Sequence, residues 1–146
     1  MIYKKSVKIL LAGILIIAFQ ACSVELTNSD SQRWIGTVTS SESTCKHIGK
    51  DIEGTYDLLV DLGENDTILL SVVKSGNVFK GLQSTVDTNL YVFTASYRED
   101  GGVLSEKMEI TVTEPGKGMG HSVWSWSDGI NFCEGEFEVT LERKDE

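Results

Sequence analysis

Apolar and polar residues alternate with a period of two along most of this chain after Arg33. Between Ile52 and Leu62, between Val103 and Thr113, and between Cys133 and Leu141, every second residue is apolar or glycine for most of the segment. Side chains of a β-strand point alternately to opposite faces, so this pattern indicates strands with one buried and one solvated face. Ala95 is the only alanine after Cys22, and this composition also disfavours helix.

Turn residues separate the alternating segments at short, regular intervals. The clearest example is Asp128-Gly129, a dipeptide typical of hairpin turns. The eight predicted strands are Arg33–Ser40, Ile52–Leu62, Ile68–Lys74, Val78–Gln83, Leu90–Tyr97, Val103–Thr113, Met119–Ser127 and Ile130–Arg143. Connections this short predict an all-β fold, an antiparallel meander in which each strand pairs with the next.

An eight-stranded meander can close on itself, which removes both edge strands and makes the first and last strands neighbours. We therefore expect a closed barrel over residues 33–146. A two-sheet sandwich is the alternative, because strand patterning alone does not separate the two architectures.

The first 21 residues read as a targeting segment. Lys4, Lys5 and Lys8 precede an apolar run, Ile9–Phe19, which is too short to span a bilayer comfortably. The following Phe19-Gln20-Ala21-Cys22 resembles the end of a bacterial lipoprotein signal, in which the cysteine becomes the lipidated first residue of the mature chain. An ordinary cleaved secretory signal and an uncleaved anchor are the alternatives.

That resemblance implies a lipid anchor on Cys22 and a location in the cell envelope. Ser23 after the cysteine would not retain the protein at an inner membrane, which favours the outer membrane. Residues 22–32 are mostly polar and are expected to form a flexible tether between the lipid and the barrel.

Export places the remaining cysteines in an oxidising compartment, where thiols normally pair. With Cys22 assigned to acylation, only a Cys45–Cys133 disulfide is possible. In a closed meander this bridge would join the region after the first strand to the last strand. The alternative, half of a metal site at Cys45-Lys46-His47, offers too few ligands for a structural zinc.

The overall pattern resembles small bacterial lipoproteins with a lipocalin-like β-barrel. The likeness is carried by residues 34–39, Trp-Ile-Gly-Thr-Val-Thr, and residues 133–137, Cys-Glu-Gly-Glu-Phe. It implies a lipocalin-like barrel after the tether, a fold in which the interior can hold a small ligand.

Charge and motif content narrow the function classes. The chain has 22 Asp and Glu, and its 13 Lys and Arg fall to ten when residues 1–21 are removed, so nucleic acid is not an expected partner. His121 and Ser122 are adjacent without an acidic sequence neighbour, and Glu134, Glu136, Glu138 and Glu142 read as a solvated strand face. We predict no enzyme activity, no metal and no cofactor.

Aromatic residues are the strongest candidates for a binding site. Trp124 and Trp126 share one strand face, and Tyr91, Phe93 and Tyr97 share another. In an eight-stranded barrel such residues either fill the interior or line a small cavity. Two functions follow: an envelope barrel that binds a small apolar or amphipathic ligand, or an envelope lipoprotein with a filled interior that contacts a protein or polysaccharide.

Overall fold

The structure, a computed structural model, describes residues 31–144. The predicted signal segment 1–21, the acylation site Cys22 and most of the predicted tether lie outside the described residues. No helix within residues 31–144 has the length and apolar character needed to cross a membrane.

Residues 31–144 form one closed antiparallel barrel in which each strand pairs with its neighbours in sequence and the last pairs with the first. The all-β meander is therefore confirmed, and the barrel rather than the sandwich is the architecture. The strands are β1 (Gln32–Ser43), β2 (Gly54–Leu62), β3 (Ile68–Val72), β4 (Val78–Gln83), β5 (Leu90–Glu99), β6 (Gly102–Glu114), β7 (Lys117–Ser127) and β8 (Phe132–Arg143).

Strand boundaries differ from the sequence prediction mainly next to turns. β1 begins at Gln32 and continues to Ser43, because its second half, beyond a register shift between Val38 and Ser40, pairs with β8 alone. Ile130 lies in the β7–β8 turn rather than in a strand. There the Asp128 side chain accepts hydrogen bonds from the Ile130 and Asn131 backbone N–H groups, which makes a longer turn than a two-residue Asp-Gly hairpin.

The alternation of apolar and polar residues in the sequence corresponds to an inner and an outer face of the barrel. On β6, residues 102–110 alternate strictly between buried and exposed, and on β7 the same holds for residues 117–124. Glu134, Glu136, Glu138 and Glu142 are exposed on the outside of β8, as predicted. Inward positions of all eight strands therefore contribute side chains to the barrel interior.

Two clusters of buried side chains fill the interior. The larger cluster centres on Tyr91 and Phe93, which are fully buried, and includes Trp34, Leu70 and Ile110. The smaller cluster contains Cys45, Ile48, Leu104, Trp124 and Trp126. All eight strands and both clusters lie within residues 32–143, so a chain starting at Ser23 contains every element of the fold.

The seam between β1 and β8 is closed by strand pairing from Trp34 opposite Arg143 to Ser43 opposite Gly135. Directly beyond it, the Thr44 backbone N–H donates to the Glu134 carbonyl oxygen at 2.9 Å. The predicted pairing of Cys45 with Cys133 is confirmed, with the two Cα atoms 5.1 Å apart. The disulfide thus extends the seam into the β1–β2 loop.

We predict that removing this disulfide destabilises the barrel. The two cysteines are 88 residues apart, and in the chain-entropy model a cross-link of that length contributes about 4–5 kcal/mol, an upper value because native strain and residual structure reduce it. The Cys45→Ser/Cys133→Ser double variant should therefore have a lower free energy of unfolding in urea.

Addition of reductant supplies the matched control. Reductant should lower the stability of the unsubstituted domain to that of the double variant and leave the double variant unchanged. Equal unfolding midpoints for the oxidised domain and the double variant would show that the disulfide is not a stabilising element.

Candidate functional site

The interior holds a cavity of about 250 Å³ near one end of the barrel. This end carries the β1–β2, β3–β4, β5–β6 and β7–β8 connections, because successive strands are antiparallel. Its outermost lining residues are Ile48, Gly49 and Ile52 of the β1–β2 loop, Ser75 and Asn77 of the β3–β4 turn, and Glu99 at the end of β5. These residues define the mouth of the cavity.

The cavity wall is predominantly apolar. Aliphatic side chains come from β1, β2, β3, β6 and β8, among them Val38, Leu58, Leu70, Leu104 and Leu141. Aromatic walls are formed by Tyr56, Phe79, Tyr97, Trp124 and Phe137. A concave, apolar chamber with few polar groups is the usual form of a small-molecule site.

The five aromatic residues predicted to contact a ligand divide into two groups. Trp124 and Tyr97 line the cavity. Tyr91 and Phe93 are instead fully buried in the larger core cluster, and the Tyr91 hydroxyl accepts a hydrogen bond from the Gln83 side-chain amide at 3.2 Å. Burial raises the pKa of the Tyr91 phenol to about 12.

Trp126 also lies outside the cavity. Its indole N–H donates to the Glu99 carbonyl oxygen at 2.7 Å, which fixes the ring across the β5–β6 turn. Of the predicted ligand-contact residues, Trp126, Tyr91 and Phe93 therefore do not line this cavity, because residues on an inward strand face occur at every depth of the barrel and the cavity occupies only some depths.

The β1–β2 loop covers part of the cavity because two glycines let Trp124 lie beneath it. A Cβ atom on Gly49 would clash with the Trp124 indole, and Gly49 also has a positive φ of 67° that favours glycine. Gly135 on β8 approaches the same indole from the other side. Cys45 and Ile48 of the loop are buried against this cluster, so the disulfide holds the loop at the mouth.

Glu106 is the polar group that the sequence analysis did not single out. It lies on the inward face of β6, opposite Ala95 on β5 and Trp124 on β7, and is only 7 % exposed. The Ser122 hydroxyl donates to its Oε1 atom at 2.6 Å, and the Tyr97 hydroxyl donates to its Oε2 atom at 3.3 Å. Its position two residues after Leu104 and two before Met108 is the sequence signal that marks it as inward-facing.

Burial raises the pKa of the Glu106 carboxyl above its ordinary value, and the hydrogen bonds from Ser122 and Tyr97 offset part of that rise. The pKa of the Tyr97 phenol is also raised, by burial and by the negative charges of Glu106 and Glu99. Tyr97, Ser122 and Glu106 therefore form a hydrogen-bonded polar triad, of which Tyr97 and Glu106 line the cavity.

His121 and Ser122, adjacent in sequence, do not form a catalytic pair. Ser122 points into the barrel toward Glu106, whereas His121 is exposed on the outer face. Carboxylates from other strands reach both residues: the His121 Nδ1 atom lies 2.7 Å from Glu138 Oε1, and Nε2 lies 3.6 Å from Glu136 Oε2. These contacts follow from strand register, which places His121 opposite Glu138.

Cys45 and His47, the two ligands of the alternative metal site, are not available as a pair. The Cys45 sulfur is committed to the disulfide, and His47 is exposed in the β1–β2 loop. Within residues 31–144, no three His, Cys, Asp or Glu side chains converge in a way that could hold a metal ion.

The chain matches no protein-family model, and no curated protein is detectably similar to it in sequence.

We predict that Glu106 makes the stability of the barrel fall as pH rises above the ordinary carboxyl range. Its pKa is raised from 4.5 in the folded state, so between pH 4.5 and the raised value the folded protein holds a proton that the unfolded chain has lost. Glu106→Gln removes this ionisation. The unfolding free energy of the variant, relative to the unsubstituted domain, should rise with pH across that window and then level off.

Urea unfolding at several pH values between 4 and 8 measures this difference. Glu109→Gln is the matched control on the same strand, because Glu109 is exposed and Lys107 lowers the pKa of its carboxyl. Its relative stability should change little and in the opposite direction. Parallel pH profiles for Glu106→Gln and the unsubstituted domain would contradict the prediction.

Proposed function

We propose that this protein is a lipid-anchored barrel of the bacterial cell envelope that binds a small apolar or amphipathic molecule and catalyses no reaction. The observation that carries the ligand proposal is the cavity, which leaves the aromatic wall of Trp124 and Tyr97 uncovered inside an otherwise packed barrel. A polar triad in this wall would orient a bound molecule.

The size of the cavity limits its ligand. A volume of about 250 Å³ lies below the roughly 300 Å³ at which drug-sized sites begin. An apolar cavity of about 150 Å³ holds a benzene ring, so this cavity suits a single ring with a short substituent, or a short alkyl chain. Long-chain lipids would have to extend out through the mouth.

The proposed anchor would reach the barrel through the start of β1. β1 begins at Gln32 at the end of the barrel opposite the cavity mouth. An acylated Cys22 would lie ten positions before Gln32 in the chain. The distance between these two residues would be at most about 35 Å with the tether fully extended. The proposed tether would therefore join the barrel at the end opposite the mouth and would leave the mouth free of the attachment point.

We predict that the mature chain begins at an acylated Cys22. Metabolic labelling of the full chain in a bacterial host with a fatty-acid analogue should label the protein, and Cys22→Ser should abolish the label. Cys45→Ser/Cys133→Ser is the matched control and should remain labelled. Label that persists in Cys22→Ser would contradict acylation at this residue.

Ligand binding predicts a saturable change in tryptophan fluorescence when the domain from Ser23 onwards is titrated with small neutral aromatics such as 2-phenylethanol, because Trp124 lines the cavity. Val72→Phe should weaken this binding at least about tenfold, since Val72 lines the cavity and the larger ring occupies part of it. Val78→Phe on the next strand is the control, because Val78 is exposed on the outside.

Absence of saturable binding across a panel of small neutral, cationic and anionic amphiphiles would overturn this proposal. The alternative would then take its place: an envelope lipoprotein that contacts a protein or polysaccharide through its outer face. Exposed apolar residues available for such a contact include Val86 between β4 and β5, at 95 % exposure, Ile130 of the β7–β8 turn, at 93 %, and Phe132 at the start of β8, at 66 %.

A further inference from the structure

The cavity carries acidic side chains and no basic ones. Among the described residues that line it, Glu99 and Glu106 are the only charged residues, and no lysine, arginine or histidine is present. Glu106 lies deep in the wall, and Glu99 lies at the mouth. Any ligand therefore meets a carboxyl group both at the mouth of the cavity and at its inner polar group.

The Glu106 carboxyl is hydrogen-bonded, but it forms no salt bridge with any of the residues 31–144 that the structure describes. Both of its donors, Ser122 and Tyr97, are neutral hydroxyl groups. An ionised carboxylate offers about four lone-pair positions, so two remain for a further donor. A buried carboxylate without a counter-charge is costly, and a cation brought by a ligand would offset that cost.

We infer that the cavity selects a small apolar molecule with a protonated amine, and that this ammonium group pairs with Glu106. The inference rests on the proposed ligand-binding function and specifies the chemical class of the ligand. A charge-assisted hydrogen bond forms between the ammonium and the carboxylate, while the ring or alkyl part contacts Trp124 and the aliphatic wall.

The same geometry disfavours anionic amphiphiles. A carboxylate head group in this cavity would be desolvated next to Glu106 and within the field of Glu99, with no basic side chain in the lining to receive it. Carboxylate ligands would thus be rejected by the acidic side chains of the cavity, and amines would be favoured because Glu106 has no other cationic partner in the lining.

Three probes with the same ring and different head groups test this inference: 2-phenylethylamine, 2-phenylethanol and phenylacetate. Dissociation constants at pH 7 come from chemical-shift titrations of the 15N-labelled domain from Ser23 onwards, which also locate the site. The amine should bind at least about tenfold more tightly than the alcohol, as charged hydrogen bonds allow. Phenylacetate should bind more weakly than the alcohol.

Glu106→Gln should bring the affinity for the amine down to the affinity that the same variant has for the alcohol. Glu109→Gln is the control: it removes one negative charge from the outer face of the same strand and should preserve the preference for the amine. The comparison of the three probes on the unsubstituted domain remains decisive if Glu106→Gln does not fold.

The two proposals fail in different ways. If 2-phenylethanol binds saturably but the amine gains no affinity, or phenylacetate binds as tightly as the amine, the amine inference is overturned and the ligand-binding function stands. An unchanged ratio of amine to alcohol affinity in folded Glu106→Gln also overturns the role of Glu106. If no probe shifts the cavity resonances saturably, both proposals are overturned.

Discussion

Pairing of β1 with β8 is the interaction on which the rest of the structure depends. Every other strand pair joins neighbours along the chain, whereas this pair joins residues 34–43 to residues 135–143 and converts an open meander into a closed barrel. Closure satisfies the backbone groups of both edge strands and encloses the interior. The Cys45–Cys133 disulfide continues the seam beyond the last strand pair and holds the β1–β2 loop against Trp124.

Side-chain size along the inner face decides which part of the enclosed space is filled. At one depth Phe93 occupies the room that Gly81 leaves, and the core is solid there. Toward the other end, Gly49 and Gly135 leave room for the Trp124 indole, and Trp124 and Gly49 both line the cavity there. A barrel of eight strands has little interior volume, so the size of a few inward side chains determines whether a cavity remains.

The polar triad gives this chamber its chemical character. An apolar cavity alone would accept many small hydrophobic molecules with little discrimination, whereas a buried carboxyl with two neutral donors sets a requirement on the head group. Because no basic residue is among the described residues that line the cavity, the proposed ligand would be selected by the sign of its charge as well as by its polarity. The proposed specificity would depend on a single side chain, Glu106, and on the strands that bring Tyr97 and Ser122 to it.

Period-two alternation and turn residues were sufficient to predict eight strands, their order and the inward faces, because those properties are local to each strand. The disulfide was predictable for a different reason: with Cys22 assigned to acylation, only Cys45 and Cys133 were left to pair. Closure as a barrel, the depth of each aromatic residue and the position of the cavity depend on register between strands, which no single segment encodes. Tyr97, Glu106 and Ser122 lie on three different strands, and only the packing of β5, β6 and β7 brings their side chains together. Burial in that packing is what raises the pKa of the Glu106 carboxyl.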